Sequence, residues 1–251
     1  MLDQSVLARC NLFGVLKNIE YLAEHDPESA AFLPERPLSI RFAVHGGPLA
    51  TLRLNPAKAD MLAGRHPATV VLGFASPEHF NRMVSGKANP IPLKGLHRLA
   101  YLTGPFGKLT KRLEGYLRPD EATLRDPERF RRSAEMTLYA AMFSLVEIAN
   151  GDPQGRRSAA RIPDGVLQVS VAGSVGVRIV ARGGQLSATK GYDPDPRALL
   201  HFASLQAAAD IFSGKLDTYT ALATGDLEMR GYIPMIDNIN PVLDLVAEYL
   251  K

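Results

Sequence analysis

Three Gly-Lys pairs, Gly86-Lys87, Gly107-Lys108 and Gly214-Lys215, are the residues of this chain whose types could cradle a phosphate. A phosphate loop also needs a glycine five residues upstream, so that backbone N–H groups surround the anion, and a Ser or Thr after the lysine to meet Mg2+. None of the three pairs has either residue. Ser85-Gly86-Lys87 and Ser213-Gly214-Lys215 therefore read as helix ends followed by a turn lysine. Gly173-Ser174-Val175-Gly176 sets a serine between glycines, but a nucleophile elbow requires glycine two places before the serine, where this chain has Ala172. That run reads as a hairpin turn. The histidines, His25, His45, His66, His79, His97 and His201, form no pair at the helical spacing that grips zinc. The carboxylates fall in no recognisable acid–base pair. Cys10, the single cysteine, sits in a helical pattern where a buried small apolar side chain is expected. These types and spacings predict no catalytic residue, no metal site and no cofactor, and the chain is expected not to be an enzyme.

What organises the chain is an internal repeat. Leu72-Gly73-Phe74-Ala75-Ser76 leads after eight residues to Ser85-Gly86-Lys87, and 128 positions later Leu200-His201-Phe202-Ala203-Ser204 leads after eight residues to Ser213-Gly214-Lys215. Upstream, Phe13, Leu16, Ile19 and Leu22 precede Asp26-Pro27 as Tyr139, Met142, Leu145 and Ile148 precede Asp152-Pro153, an apolar helix stopped by a proline. Downstream, Phe106, Leu109, Leu113, Tyr116 and Leu117 answer to Met235, Ile239, Val242, Leu243 and Val246. Spacings of three and four predict helices with one apolar face. A period of 126 to 128 residues in a chain of 251 predicts two domains of related fold.

Alternation supplies the strands. In the second copy Leu167, Val169 and Val171, then Val177, Ile179 and Ala181, predict a hairpin, followed by short strands at residues 185–190 and 198–202. Leu205, Ala208, Ala209 and Phe212 predict a helix, residues 226–232 another strand, and a final helix opens near Pro234 or Asp237. In the first copy Leu38, Ile40 and Phe42 alternate, residues 49–54 and 69–74 follow as strands, and Phe80, Met83 and Val84 mark a helix. Its late strand is expected at about residues 93–102, by analogy with the second copy. Each copy is thus an α+β domain, a twisted, mainly antiparallel sheet with helices packed on it. The boundaries expected are 1–117 and 133–251, with the charged, proline-bearing segment 118–132 as an exposed linker.

Composition limits the partners. An apolar fraction of 46% with 22% charged residues is that of a globular protein. No signal-peptide pattern opens the chain, and the most apolar stretch, 136–149, holds Glu147 and is too short to cross a bilayer, so a buried helix and a cytoplasmic setting are expected. The net charge of +3 hides an asymmetry: residues 1–117 carry 14 Lys/Arg against 9 Asp/Glu, and residues 133–251 carry 10 against 13. The two halves can attract each other, or the basic one can face an anionic phospholipid surface. Lys/Arg runs interleaved with aromatics are missing, which argues against nucleic acid as a partner.

Leu200-His201-Phe202-Ala203-Ser204, then 212–217 with its Gly214-Lys215 turn, then Gly225-Asp226-Leu227-Glu228-Met229-Arg230-Gly231, resembles the signature of sterol carrier protein domains. The second copy matches over nearly its whole length. The first copy is more divergent: it keeps Phe74-Ala75-Ser76 and Ser85-Gly86-Lys87 but has Lys94-Gly95-Leu96-His97-Arg98 in place of the Gly-Asp strand. The resemblance implies an apolar tunnel between sheet and helices that takes sterols, fatty acyl chains, phospholipids or quinone-type lipids, with no chemistry of its own. Lining candidates that follow from it are Phe202, Phe212, Met229, Tyr232, Met235, Ile236, Ile239 and Leu243, with a weaker set, Phe74, Met83, Leu99, Tyr101, Phe106 and Leu109, in the first copy. The partners implied are a lipid ligand, peripheral contact with an anionic membrane through the basic N-terminal half, and biosynthetic enzymes. The last would make the chain a scaffold that presents a hydrophobic intermediate, such as a quinone precursor, to them.

Overall fold

The computed structural model describes residues 2–212 and 214–250, which divide into two compact units, 1–124 and 125–251. Ser213 of the second Ser-Gly-Lys triplet lies outside the described residues.

The first unit opens with α1 (Gln4–Arg9), capped by the Asp3 carboxylate on the Ser5 and Val6 N–H groups. The helical path continues through a wide turn at Cys10–Val15 and a tight one at Leu16–Asn18 into α2 (Ile19–His25). Of the predicted stripe, Leu16, Ile19 and Leu22 are buried and Phe13 is half-buried; Cys10 and Leu12 are buried beside them. Asp26-Pro27 ends it and starts α3 (Pro27–Ala30). Strands β1 (Leu38–Val44), β2 (Leu49–Asn55), β3 (Lys58–Ala63) and β4 (Val70–Phe74) follow, then α4 (Pro77–Val84) and β5 (Ile91–Lys94). A single helical path over residues 96–117 ends the unit, comprising a tight turn at Leu96–Arg98, α5 (Leu99–Tyr101), a wide turn at Leu102–Phe106 around Pro105, and α6 (Gly107–Leu117).

After α7 (Glu121–Arg125), the second unit begins with α8 (Pro127–Gly151), capped by Asp126. Its residues 133–146 are buried except Thr137, so the apolar stretch is a core helix; among the described residues no helix is long and apolar enough to cross a membrane. The segment 118–132 therefore contains α7 and the first turns of α8. Next come α9 (Pro153–Ala159), β6 (Gly165–Val171), β7 (Gly176–Arg182), β8 (Gln185–Lys190), β9 (Ala198–Phe202), α10 (Leu205–Phe212), α11 (Thr218–Thr224), β10 (Leu227–Gly231) and α12 (Ile233–Tyr249).

The two sheets have one topology. Their strand orders are β3-β2-β1-β4-β5 and β8-β7-β6-β9-β10, antiparallel except for the central parallel pairs β1/β4 and β6/β9. The register also repeats: Val44 stands beside Phe74 as Val171 stands beside Phe202. The hairpin turns repeat bond for bond. The N–H of Gly47 donates to the Val44 carbonyl and that of Ser174 to the Val171 carbonyl. The His45 and Ala172 N–H groups donate to the Phe74 and Phe202 carbonyls. Serine hydroxyls at Ser76 and Ser204 accept from the N–H groups of His79 and Ala207, and Gly86 and Gly214 take the left-handed conformation at φ +71° and +73°. Each unit is an α+β fold, and the repeat extends to the turn atoms.

One expectation is corrected. The late strand of the first copy is β5, only four residues long, and residues 96–102 are helical. Gly95 turns the chain out of the strand at φ +85°, where an added Cβ would lie 2.7 Å from the Thr69 carbonyl oxygen. The leucine-rich stretch beyond it follows helix propensity. Gly231 is its counterpart, at φ +84°, where an added Cβ would meet the Arg197 carbonyl oxygen. The first unit reaches its closing glycine sooner because nothing equivalent to α11 separates Lys87 from β5.

Candidate functional site

The predicted lining of the second unit distributes over four elements, β9, α10, β10 and α12, with Tyr232 capping the last. Phe202, on β9, is buried and meets Phe212 of α10 at 5.8 Å between ring centres. Met235, Ile236 and Ile239 are fully buried on the first two turns of α12, which packs on α8, α9 and β9. Met229 and Leu243 are half-buried, and Tyr232 is exposed, its ring under the Arg197 guanidinium at 4.3 Å. Asp237, Asp244 and Glu248 all face outward, so the buried side of α12 carries no charge. Pro234 begins the helix where its missing N–H is harmless, and Pro241 sits within it.

In the first unit Phe74 and Phe42 hold the Phe80 ring edge-on at 5.0 and 6.3 Å, and Phe106 and Leu109 are buried. Met83 is half-buried. Leu99 is exposed, and Tyr101 reaches back so that its hydroxyl donates to the Phe32 carbonyl at 3.0 Å. Burial pushes the Tyr101 phenol up to about 12. The two sets therefore differ: in the second unit the start of the last helix is buried, and in the first it is not.

Phe202, Met235, Ile236 and Ile239 are all buried in the apolar layer under α12. Two surface clefts lie elsewhere. One of about 410 Å³ is lined by His201, Ala203, Leu222, Gly225, Leu227 and Glu228, at the open end of β9 and β10. The other, of about 370 Å³, is lined by Pro34, Glu35, Arg36, Leu38, Arg98 and Tyr101.

Sequence reasoning missed a polar cluster on the opposite face of the second sheet. Ser170 and His201 are register partners whose Oγ and Nδ1 lie 2.9 Å apart, and Glu228 stands across from His201 on β10. A serine bonded to a histidine is the geometry of an activated nucleophile. Here, however, Ser170 is 3% exposed, and beside it the buried Gln168 amide donates to the Val169, Val177 and Gly191 carbonyls. These groups tie strands together. Among the described residues no group of three or more His, Cys, Asp or Glu could hold a metal ion. The missed signal was the alternation itself: Gln168 and Ser170 occupy positions that strand periodicity assigns to solvent.

Comparison with solved structures returns sterol carrier protein folds. They include a UbiJ-SCP2 ubiquinone synthesis protein, 20% identical, covering 44% of this chain and 91% of its own, with a TM-score of 0.35. The sterol carrier protein domain 2 of Helicoverpa armigera is 20% identical over 49% of this chain and 93% of its own, TM-score 0.35. Sterol carrier protein 2 from Yarrowia lipolytica is 17% identical over 41% and 87%, TM-score 0.33. Each spans about half of this chain. No family model and no curated protein matches it.

Proposed function

We propose that this chain is a cytoplasmic lipid-binding protein built from two sterol-carrier-like domains. The second holds a sterol, fatty acyl chain, phospholipid or quinone-type lipid under α12, and the first is the divergent copy. The observation that carries this reading is the uncharged buried face of α12, Met235, Ile236 and Ile239, on a helix that packs on β9, the strand of Phe202. A ligand inserted there meets apolar atoms alone. Each methylene buried contributes about 0.8 kcal/mol, so a long acyl chain can be held by area, whereas a charged ligand would be left unpaired. Entry by outward movement of α12 is compatible with Pro241, which removes one hydrogen bond inside that helix.

Native mass spectrometry of the full chain purified from its own host is the direct test. A lipid mass carried by the folded protein is expected, and displacement of a fluorescent fatty acid should weaken in Met235→Asp and Ile239→Asp. Phe212→Ala, a milder change, separates loss of binding from loss of folding. Protein that is bare and fails to bind the fluorescent fatty acid would overturn the reading.

A further inference from the structure

The first unit exposes a cluster of apolar residues whose counterparts in the second unit are Glu228, the buried Met235 and, opposite Leu96, the exposed Tyr232. Ile91, Leu93, Leu96 and Leu99 are 46%, 63%, 64% and 47% exposed within nine residues of chain. Ile91 pairs with Gly73, the position that His201 and Glu228 fill in the second sheet, and Leu93 lies over Gly73, whose missing side chain makes room for it. Leu96 and Leu99, three apart, share one side of the helical path. At the equivalent turn of the second unit Met235 is buried. A fold that duplicated and then kept four large apolar side chains in water carries an unpartnered surface of the kind that marks an interaction site.

Charge identifies the occupant. Residues 79–113 contain seven Lys or Arg and neither Asp nor Glu. Arg82, Lys87, Lys94 and Arg98 are exposed within this span. Arg112 is committed to Asp26 and Glu28, and Glu35 and Arg36 share a cleft with Arg98 and offset one another. Leucines interspersed with cations are what an anionic bilayer surface takes: the side chains enter the acyl boundary while the cations meet phosphate headgroups. We infer that β5 and the turn after it, centred on Leu93, Lys94, Leu96, Arg98 and Leu99, form a docking surface for anionic phospholipid membranes. This surface goes beyond the lipid site of the second unit and rests on none of its residues.

Co-sedimentation of the full chain with sucrose-loaded vesicles tests it, comparing pure phosphatidylcholine with vesicles containing phosphatidylglycerol. Binding is expected only to the latter and should fall as salt is raised. Lys94→Gln and Arg98→Gln should each weaken it about fivefold. Leu96→Ser with Leu99→Ser should weaken it at low salt as well, while fluorescent fatty acid binding by the same variant is unchanged. Equal sedimentation with both vesicle types, none with either, or full binding by the double serine variant would overturn the proposal. So would a self-association in analytical ultracentrifugation that the serine variant abolishes, since a second copy would then be the occupant. Fatty acid binding reports on the second unit separately, so either reading can fail alone.

Discussion

Arg112 of α6 grips the buried carboxylate of Asp26 with two guanidinium nitrogens, its Nη2 donating to Asp26 Oδ1 at 2.9 Å. The hydrogen bond to Asp26 raises the Arg112 guanidinium above its ordinary value despite partial burial. Ser29 donates its hydroxyl to Asp26 at 2.5 Å, and the Arg112 guanidinium also stacks over Tyr116. In the second unit Asp152, 126 positions later, holds the last helix by a different donor: Tyr249 Oη bonds its Oδ2 at 2.9 Å. Both Asp-Pro stops thus anchor the closing helix of their unit as well as ending the core helix.

Arg112→Ala should destabilise the first unit by about 3–5 kcal/mol, because it strands a buried carboxylate. Tyr249→Phe removes the hydrogen bond to Asp152 and should cost about 1 kcal/mol. Urea unfolding monitored for each unit expressed in the full chain checks both. Comparable losses in the two variants would show that Asp26 is solvated when Arg112 is absent.

The closing glycines should be unequal to the turn glycines. Gly95→Ala and Gly231→Ala combine a left-handed backbone with a Cβ driven against the carbonyl of Thr69 or Arg197, and should cost about 2 kcal/mol or more. Gly86→Ala and Gly214→Ala meet the same backbone penalty in open space, so about 1 kcal/mol is expected. Thermal denaturation of the four variants ranks them. A flat ranking would mean that the strand ends give way to the added methyl.

The repeat was legible because it lies in turns: the Ala-Ser helix cap and Ser-Gly-Lys end recur at one spacing, and the chain makes the same bonds at Ser76 and Ser204. The strands of the hairpins were legible from alternation, since Leu38, Ile40 and Phe42, like Leu167, Val169 and Val171, are all buried. The parallel pairing of β1 with β4 was not, because it joins residues 30 apart through no local signal. Analogy failed at residues 93–102, where loss of the α11 segment shifts the offset between copies from 128 to 136, so that Gly95 and Pro105 answer to Gly231 and Pro241. The apolar face of α12 was legible from its spacing, since Met235, Ile239, Val242 and Val246 are all buried. Periodicity, however, could not tell buried Met235 from exposed Leu99, since exposure depends on what packs across the helix.

Tyr101 supplies a pH test. Its phenol is held neutral up to about 12 by burial, whereas an unfolded tyrosine ionises near its ordinary value of about 10. A raised folded value means that the stability contributed is fully present below about pH 10 and is lost as pH rises through about 12. Tyr101→Phe should therefore flatten the alkaline decline of the first unit. It should also lower stability near neutrality by about 1 kcal/mol, through loss of the hydroxyl bond to the Phe32 carbonyl. Ultraviolet titration of the wild type should contain a phenolate step that is late by comparison with a free tyrosine, and its absence in the wild type would count against burial of this ring.

Edge strands need protection from pairing with other chains, and here core helices provide it. Asn150 of α8 makes both bonds of a strand neighbour to β8: its Nδ2 donates to the Leu186 carbonyl at 2.8 Å, and its Oδ1 accepts from the Leu186 N–H at 2.9 Å. In the first unit Glu20 of α2 accepts from the Met61 N–H of β3 at 2.7 Å. Asn150→Leu should leave the two backbone groups of the buried Leu186 unpaired, costing about 1–3 kcal/mol. Hydrogen exchange provides a local reading: the Leu186 amide should lose protection well before its neighbours in β7, whose bonds run to β6 and remain intact. Asn150→Asp keeps the acceptor and removes the donor, so it should restore protection of that amide while leaving the carbonyl unpaired. If the aspartate variant exchanges as fast as the leucine variant, the side chain acts through packing and not through this pair of bonds.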